Sequence, residues 1–248
     1  MNVRMIASAI VVVVWLLVKM FRTAVSDKIS THSLTVPIEK SHTIFFISDI
    51  HNRLINQQTI ANISDEVDTV IIGGDLADRR VSSSRLSANI KLLHSWNVPI
   101  YFVAGNNDHE FKPQPILSLL KHEGIKVLSN QWINLNGKGL TLSGIDPYFN
   151  EPSIPACIPE NSVNILVIHE PSLLKEFSVD TYNPYDLILT GHTHGGQIRI
   201  FGQGPYSRGF WGKYHKAAFL NSEGYGTSLI PMRLGTTPEV HLIKLLPC

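Results

Sequence analysis

Five apolar segments of this 248-residue chain run directly into side chains that bind divalent cations. Residues 44–48 (IFFIS) lead into Asp49-Ile50-His51, 69–72 (TVII) into Gly73-Gly74-Asp75, and 100–104 (IYFVA) into Gly105-Asn106-Asn107-Asp108. Residues 165–168 (ILVI) lead into His169, and 187–190 (LILT) into Gly191-His192-Thr193-His194. Carboxylate and imidazole together suit cations such as Mn²⁺, Fe²⁺ and Zn²⁺, and an Asn carbonyl adds a ligand without adding charge. A carboxylate placed between two cations bridges them at about 3.5–4 Å. Glycines before Asp75, Asn106 and His192 permit the sharp turns that such an approach needs.

Taken singly, each residue has an ordinary structural reading: Asp75 as a helix N-cap, Asn106 as a turn residue, His169 as a packed strand-end histidine. Repetition at the same end of five strand-like runs is hard to obtain from packing alone and predicts a binuclear metal centre. The other seven histidines (His32, His42, His94, His109, His122, His215 and His241) lack such positions and are expected, for the most part, to be solvated or packed.

The elements that must position these side chains alternate between strand-like runs and amphipathic stretches near residues 54–67 and 82–96, each long enough for a crossover helix. Runs that are apolar without interruption fit strands buried on both faces, which predicts an α/β core. Asn136-Gly137, between apolar runs at 132–135 and 140–143, is a hairpin-turn signal. Residues 171–177 predict one short helix and 240–245 a closing strand. The chain divides into an N-terminal segment (1–25), a linker (26–42) and one catalytic domain (43–248). The linker, polar and interrupted by Pro37, reads as a tether, or as an edge strand at most.

Composition narrows the function. Hydrophobic residues are 44% and charged residues 17%, which excludes a disordered chain. A formal net charge of +1 argues against a protein that grips nucleic acid through phosphates, so no stable nucleic-acid partner is expected. Two cysteines outside any Cys-x-x-Cys pair make no disulfide scaffold. Residues 5–18 (MIASAIVVVVWLLV) are unbroken apolar, and Lys19 can snorkel so that Met20 and Phe21 lengthen the segment. An uncleaved single-pass membrane anchor is preferred over a removed signal peptide, because basic residues rather than small ones follow the run. Lys19, Arg22 and Lys28 downstream, against Arg4 and the terminal amine upstream, place the catalytic domain in the cytoplasm.

The ordered motifs resemble those of the calcineurin-like metallophosphoesterase superfamily: DIH at 49–51, GGDLAD at 73–78, GNND at 105–108, HEP at 169–171 and GHTHGGQ at 191–197. The last motif and PMRLGTTPEV at 231–240 are most similar to its membrane-associated bacterial branch, often described as phosphodiesterases or as similar to UDP-2,3-diacylglucosamine hydrolases. The resemblance, over residues 43–246, implies a four-layer α/β/β/α sandwich. It also implies that Asp49, His51 and His194 hold one metal and Asn106, His169 and His192 the second, with Asp75 bridging. A water or hydroxide between the ions would then attack phosphorus in line.

One departure stands out: Asn107 occupies the place where the family usually has a histidine that protonates the leaving oxygen or steadies the transition state. An amide has no ionisable proton to give. The resemblance therefore implies a good leaving group, or a substitute acid such as His109, and it gives Asp108 the role of orienting a neighbouring ligand. Arg233 is a candidate phosphate contact, and residues 205–214 (PYSRGFWGKY) are candidates to line a pocket for an apolar or glycosyl group. The expected function is a membrane-tethered hydrolase with two divalent ions (Mn²⁺, Fe²⁺ or Zn²⁺), cleaving a phosphodiester or pyrophosphate in a phosphorylated small molecule or lipid-linked substrate. A nuclease of the same superfamily and a catalytically weak metal-binding scaffold are the alternatives.

Overall fold

In the computed structural model, which describes all residues except 1, 2, 113, 114, 136–138 and 156, the apolar runs become two mixed six-stranded sheets packed face to face. Strands β2 (His42–Ile47), β3 (Thr69–Ile72) and β4 (Ile100–Phe102) lie parallel and side by side, flanked by the short β5 (Lys126–Val127). Strand alternation divides their side chains between two cores. Phe45, Ile47, Val70, Ile72 and Phe102 face the helices, whereas Ile44, Phe46, Ile71 and Tyr101 face the second sheet.

The helices α2 (Gln57–Ala61), α3 (Ser83–Leu93) and α4 (Ile116–His122) cover the outer face of the first sheet through Ile60, Leu86, Ile90, Leu93 and Leu120. Helix α3 begins where the Ser82 hydroxyl accepts from the Arg85 N–H, an ordinary serine N-cap. Helix α2 is far shorter than the amphipathic pattern over 54–67 suggested. Loop residues fill the remainder, with Ile55 and Val67 still buried.

The second sheet runs β10 (Phe210–Tyr214), β11 (Ala217–Asn221), β9 (Leu187–Thr190), β8 (Val163–Ile168), β7 (Leu140–Ile145) and β6 (Gln131–Asn134). Its outer face carries 3-10 turns (Pro171–Lys175 and Val179–Tyr182) among the described residues, with Leu174, Tyr182 and Tyr185 packed on Leu166, Ile168 and Ile188. The fourth layer is therefore thinner than the first. Strands β6 and β7 pair antiparallel as a hairpin, and the Asn136-Gly137 turn lies outside the described residues.

Of the two readings of 26–42, tether or edge strand, the edge strand is the one found. Strand β1 (Lys28–Val36) pairs in parallel with β12 (Glu239–Pro247) along its whole length and forms the edge of the first sheet. Its partner lies about two hundred residues away, so no local pattern announces the pairing. Ahead of it, α1 (Val3–Val25) is long and apolar enough to cross a membrane, and nearly all of its side chains are exposed.

Candidate metal centre

β2, β3 and β4 from one sheet and β8 and β9 from the other end at a common edge, and each delivers its motif there. The chain turns sharply as it leaves the strands. Asp49 (φ 54°), His51 (49°), Asp75 (51°), His192 (68°) and His194 (47°) all adopt left-handed backbone. That conformation costs a non-glycine residue about 1–2 kcal/mol and is stable only where the surroundings enforce it. Here the Asp49 N–H donates to the Gly74 carbonyl (2.9 Å) and the His51 N–H to the Asp75 carbonyl (3.0 Å), so sheet-like bonding continues past the strand ends. Close packing does the rest. Gly74 (φ 90°) approaches His169 so tightly that a Cβ would lie 2.4 Å from Nδ1, and a Cβ on Gly105 would lie 2.3 Å from the Asp75 nitrogen.

The side chains converge as two adjoining groups, Asp49–His51–His194 and Asp75–His169–His192. In the first, His51 Nε2 and His194 Nε2 are 3.0 Å apart and Asp49 Oδ1 is 3.5 Å from His194 Nε2. In the second, Asp75 Oδ2 is 3.4 Å from His169 Nε2, while Asn106 Oδ1 meets His192 Nδ1 at 2.8 Å. Asp75 Oδ2 is also 3.6 Å from His51 Nε2, which sets one oxygen between the two groups.

These residues fit divalent cations. The His169 Nδ1–H donates to the Gly73 carbonyl (2.8 Å), whereas its Nε2 is buried with no hydrogen-bond partner and faces two carboxylates. A ring fixed in that tautomer presents a lone pair to a cation. His51 Nδ1 likewise lies 3.2 Å from Asp78 Oδ2, a carboxylate–histidine pair behind a ligand nitrogen. Metal identity is left open by this donor set, which suits several first-row ions.

Burial and mutual contact shift the titration of these groups in different directions. Burial opposes a charge on His169, but Asp75 and Asp49 together outweigh it and raise its pKa to about 10. Asp75 is held below the usual carboxylate range: burial opposes its ionisation, and His169, His51 and the Asn107 N–H overcome that opposition. His194 goes the other way, pushed well below its ordinary value by burial and by His51 and Arg233. Asp108, fully buried and next to Asp75, is raised to about 7.

The other candidates divide. Asn107 lines a cavity of about 460 Å³ at the metal groups, with Asp75, Asn106, His192 and His194. Its N–H donates to Asp75 Oδ1 (2.7 Å) and its side-chain oxygen accepts from Asn106 Nδ2 (3.0 Å). Asp108 accepts from the N–H groups of Gly105 (2.8 Å), Asp75 (2.8 Å) and Ala77 (3.0 Å), so it fixes the loops that carry Asn106 and Asp75.

Two expectations are corrected. His109 is exposed on a 3-10 turn (Asp108–Glu110) and does not line the cavity, so the turn carries it out of reach of the reacting position. Arg233 is fully buried, and its guanidinium donates to the carbonyls of Glu223 (2.7 Å), Gly224 (3.0 Å) and Gly226 (2.7 Å), with Nη2 3.3 Å from His194 Nδ1. Arg233 does not line the cavity, and its guanidinium is turned to backbone carbonyls and His194 rather than to a phosphate there.

From the aromatic stretch, Pro205 and Tyr206 do line the cavity, whereas Phe210–Tyr214 is strand β10. Sequence reasoning did not find Ile198, Leu229 and Ile230, which wall the same cavity. Apolar wall residues carry no chemical signature, and only the run of four apolar residues at 229–232 could have drawn notice.

Two mixed sheets meeting at a cluster of carboxylates, imidazoles and an asparagine define a metallophosphoesterase. The chain belongs to the calcineurin-like phosphoesterase family, whose profile matches residues 42–196. It is similar to the uncharacterized protein YpbG of Bacillus subtilis, at 42% identity over 92% of this chain and 91% of that one. It is also similar to the phosphodiesterase YaeI of Escherichia coli, at 31% identity over 82% and 81% respectively. An uncharacterized metallophosphoesterase of Helicobacter pylori is 30% identical over 85% of this chain, which spans only 61% of that protein.

Proposed function

We propose that this protein is a membrane-tethered phosphoesterase that uses two divalent cations to hydrolyse a phosphodiester or pyrophosphate. Asp49, His51 and His194 would hold one cation, Asn106, His169 and His192 the other, with Asp75 shared. The observation that carries this reading is Asp75 Oδ2, which lies within 3.6 Å of His51 on one side and 3.4 Å of His169 on the other. Bound cations would supply an acidified water and neutralise charge developing on the phosphoryl group.

The chain's own residues set the rest. Asn106 Nδ2 donates to the Asn107 oxygen, which leaves the Asn107 amide hydrogens for the cavity. There they can donate to a phosphoryl oxygen, but they cannot protonate a departing one. Substrates whose leaving group is already a weak base, a phosphate or a nitrophenolate, suit such a site. The likeness to a protein named as a phosphodiesterase supports the ester class.

Helix α1 would anchor the chain once through the cell membrane. The excess of Lys19, Arg22 and Lys28 on its downstream side orients the domain toward the cytoplasm, with phosphorylated small molecules or lipid-linked phosphates as substrates. The test is hydrolysis of bis(p-nitrophenyl) phosphate by the full chain in detergent, stripped of metal and then supplied with Mn²⁺, Zn²⁺, Fe²⁺ or Co²⁺. Turnover that appears with metal and falls at least about 100-fold in Asp75→Asn supports the shared carboxylate. No turnover with any metal would leave a binding scaffold, and wild-type rates in Asp75→Asn would refute the bridging assignment.

A further inference from the structure

The metal cavity and helix α1 meet at one loop. Residues 229–232 (LIPM) are apolar in succession, with Leu229 79% and Ile230 46% exposed, and both line the metal cavity. Leu229 also borders a separate cavity of about 670 Å³, whose walls include Ala24 and Val25 at the end of α1, Leu54 (52% exposed) and Arg85. Just past the loop, the Arg233 N–H donates to the Met20 carbonyl of α1 at 3.1 Å.

α1 leans on the domain with one face. Met20 and Ala24 are buried and Leu16 and Thr23 half-buried, the spacing of a single helical stripe. The helix has little length to spare. The 22 residues of its apolar span reach about 33 Å, against a hydrocarbon core of about 30 Å. Met20 lies only about 8 Å along the axis from Val25, so whatever touches Met20 sits where headgroups meet acyl chains. Lys19, Arg22 and Arg85 flank that level and complement anionic headgroups. Contiguous exposed apolar side chains at that height face lipid rather than water.

We infer that residues 229–232, together with Leu54, dock into the headgroup boundary of the bilayer that α1 crosses. The metal cavity then opens onto the membrane surface and takes phosphoesters whose apolar part stays in the lipid. This rests on the reading of α1 as an anchor and of the site as a phosphoesterase, and the test separates all three.

The full chain, with Cys157 and Cys248 changed to Ser, is given one cysteine at Leu229, Leu54, Val12 or Glu160, the last at the far end of the sheets, just ahead of β8. Each variant is labelled with an environment-sensitive fluorophore and reconstituted in phosphatidylcholine–phosphatidylglycerol vesicles carrying shallow or deep nitroxide lipids. Labels at Leu229 and Leu54 are expected to lose at least about half of their emission to shallow nitroxides, as interfacial burial of 5–10 Å requires, and the label at Glu160 none. Because the two positions sit on different loops, a folding defect in one variant leaves the other as the measurement.

Quenching of Val12 by deep nitroxides with Leu229 and Leu54 as bright as Glu160 would overturn the docking surface. An unquenched Val12 would overturn the anchor, and the docking with it. Wild-type protein in the same vesicles is expected to cleave a lipid-tailed p-nitrophenyl phosphodiester with higher kcat/KM than bis(p-nitrophenyl) phosphate, which has the same leaving group, and the reverse order would overturn the opening onto the membrane. Turnover of neither ester, with the quenching in place, would sink the phosphoesterase reading and leave the bilayer contact standing.

Discussion

Replacing Arg233 by Met keeps the volume and flexibility of the buried stem and removes only the guanidinium. Two carbonyls (Glu223 and Gly226) then lose their donors, at 2.7 Å each, in a region closed to solvent, while the Gly224 carbonyl keeps the Glu239 N–H at 3.1 Å. An unsatisfied buried polar group costs about 1–3 kcal/mol. Burying the charge is itself costly, as the fall of the Arg233 pKa to about 10 through desolvation shows, and methionine recovers part of that cost. The net loss expected is about 3–5 kcal/mol, the range seen when one partner of a buried charged network is removed. At about 2–4 °C per kcal/mol for a domain of this size, Tm should fall by roughly 10 °C.

The same substitution frees the loop that packs on the centre, because Gly224 abuts the Asp49 side chain and Gly226 the Asp49 and Ile50 carbonyls. Mn²⁺ affinity should therefore drop together with Tm. The assay is thermal unfolding of the full chain in mild detergent, metal-free and with Mn²⁺, beside Mn²⁺ titration followed by electron paramagnetic resonance. Arg233→Lys should recover part of both losses. A shift in Tm below about 2 °C, equivalent to less than 1 kcal/mol, would show that the Glu223 and Gly226 carbonyls find other donors and that the guanidinium does not organise the loop.

Three further outcomes follow from the same geometry. His169, raised to about 10 beside Asp75 and Asp49, is protonated at pH 8 without metal, so Mn²⁺ loading should release protons. Calorimetry in buffers of different ionisation enthalpy measures that release, and the absence of any would contradict the His169–Asp75 pairing. The sign for stability is fixed likewise: the raised pKa makes the histidine's contribution complete below pH 6.5, and it fades as pH rises through about 10. Gly74→Ala forces a side chain into a φ of 90° and into the His169 ring, so purified protein should retain little metal by elemental analysis. Asn107→His restores an ionisable proton at the cavity. It should flatten the dependence of rate on leaving-group pKa across aryl phosphodiesters, and an unchanged slope would place the acid elsewhere.

Much of this centre was legible in the sequence because its logic is local. Strands buried on both faces read as apolar runs, and the residue after each run, whether Asp49, Asp75, Asn106, His169 or His192, sits at the common edge whatever the loops do. Strand β1 was legible only as the alternative to a tether. Its alternation is weak and its stability comes from β12, a partner remote in sequence. His109 lies on a short 3-10 turn that rotates it outward, which its place two residues after Asn107 does not show. Arg233 shows the opposite difficulty. An arginine in a glycine-rich turn invites a phosphate, and only the burial of the side chain reveals that it is turned to backbone carbonyls instead.

The insertion of β12 between β1 and β2 has a consequence for how the protein is made. Of these elements β12 leaves the ribosome last, yet the strand that follows α1 can join the sheet only through it. During translation β1 would wait without a hydrogen-bonding neighbour while the flank of β2 stays open to any passing strand. Both edges should thus stay open until β12 emerges, and a substitution that blocks the pairing of β12 would release β1 from the first sheet.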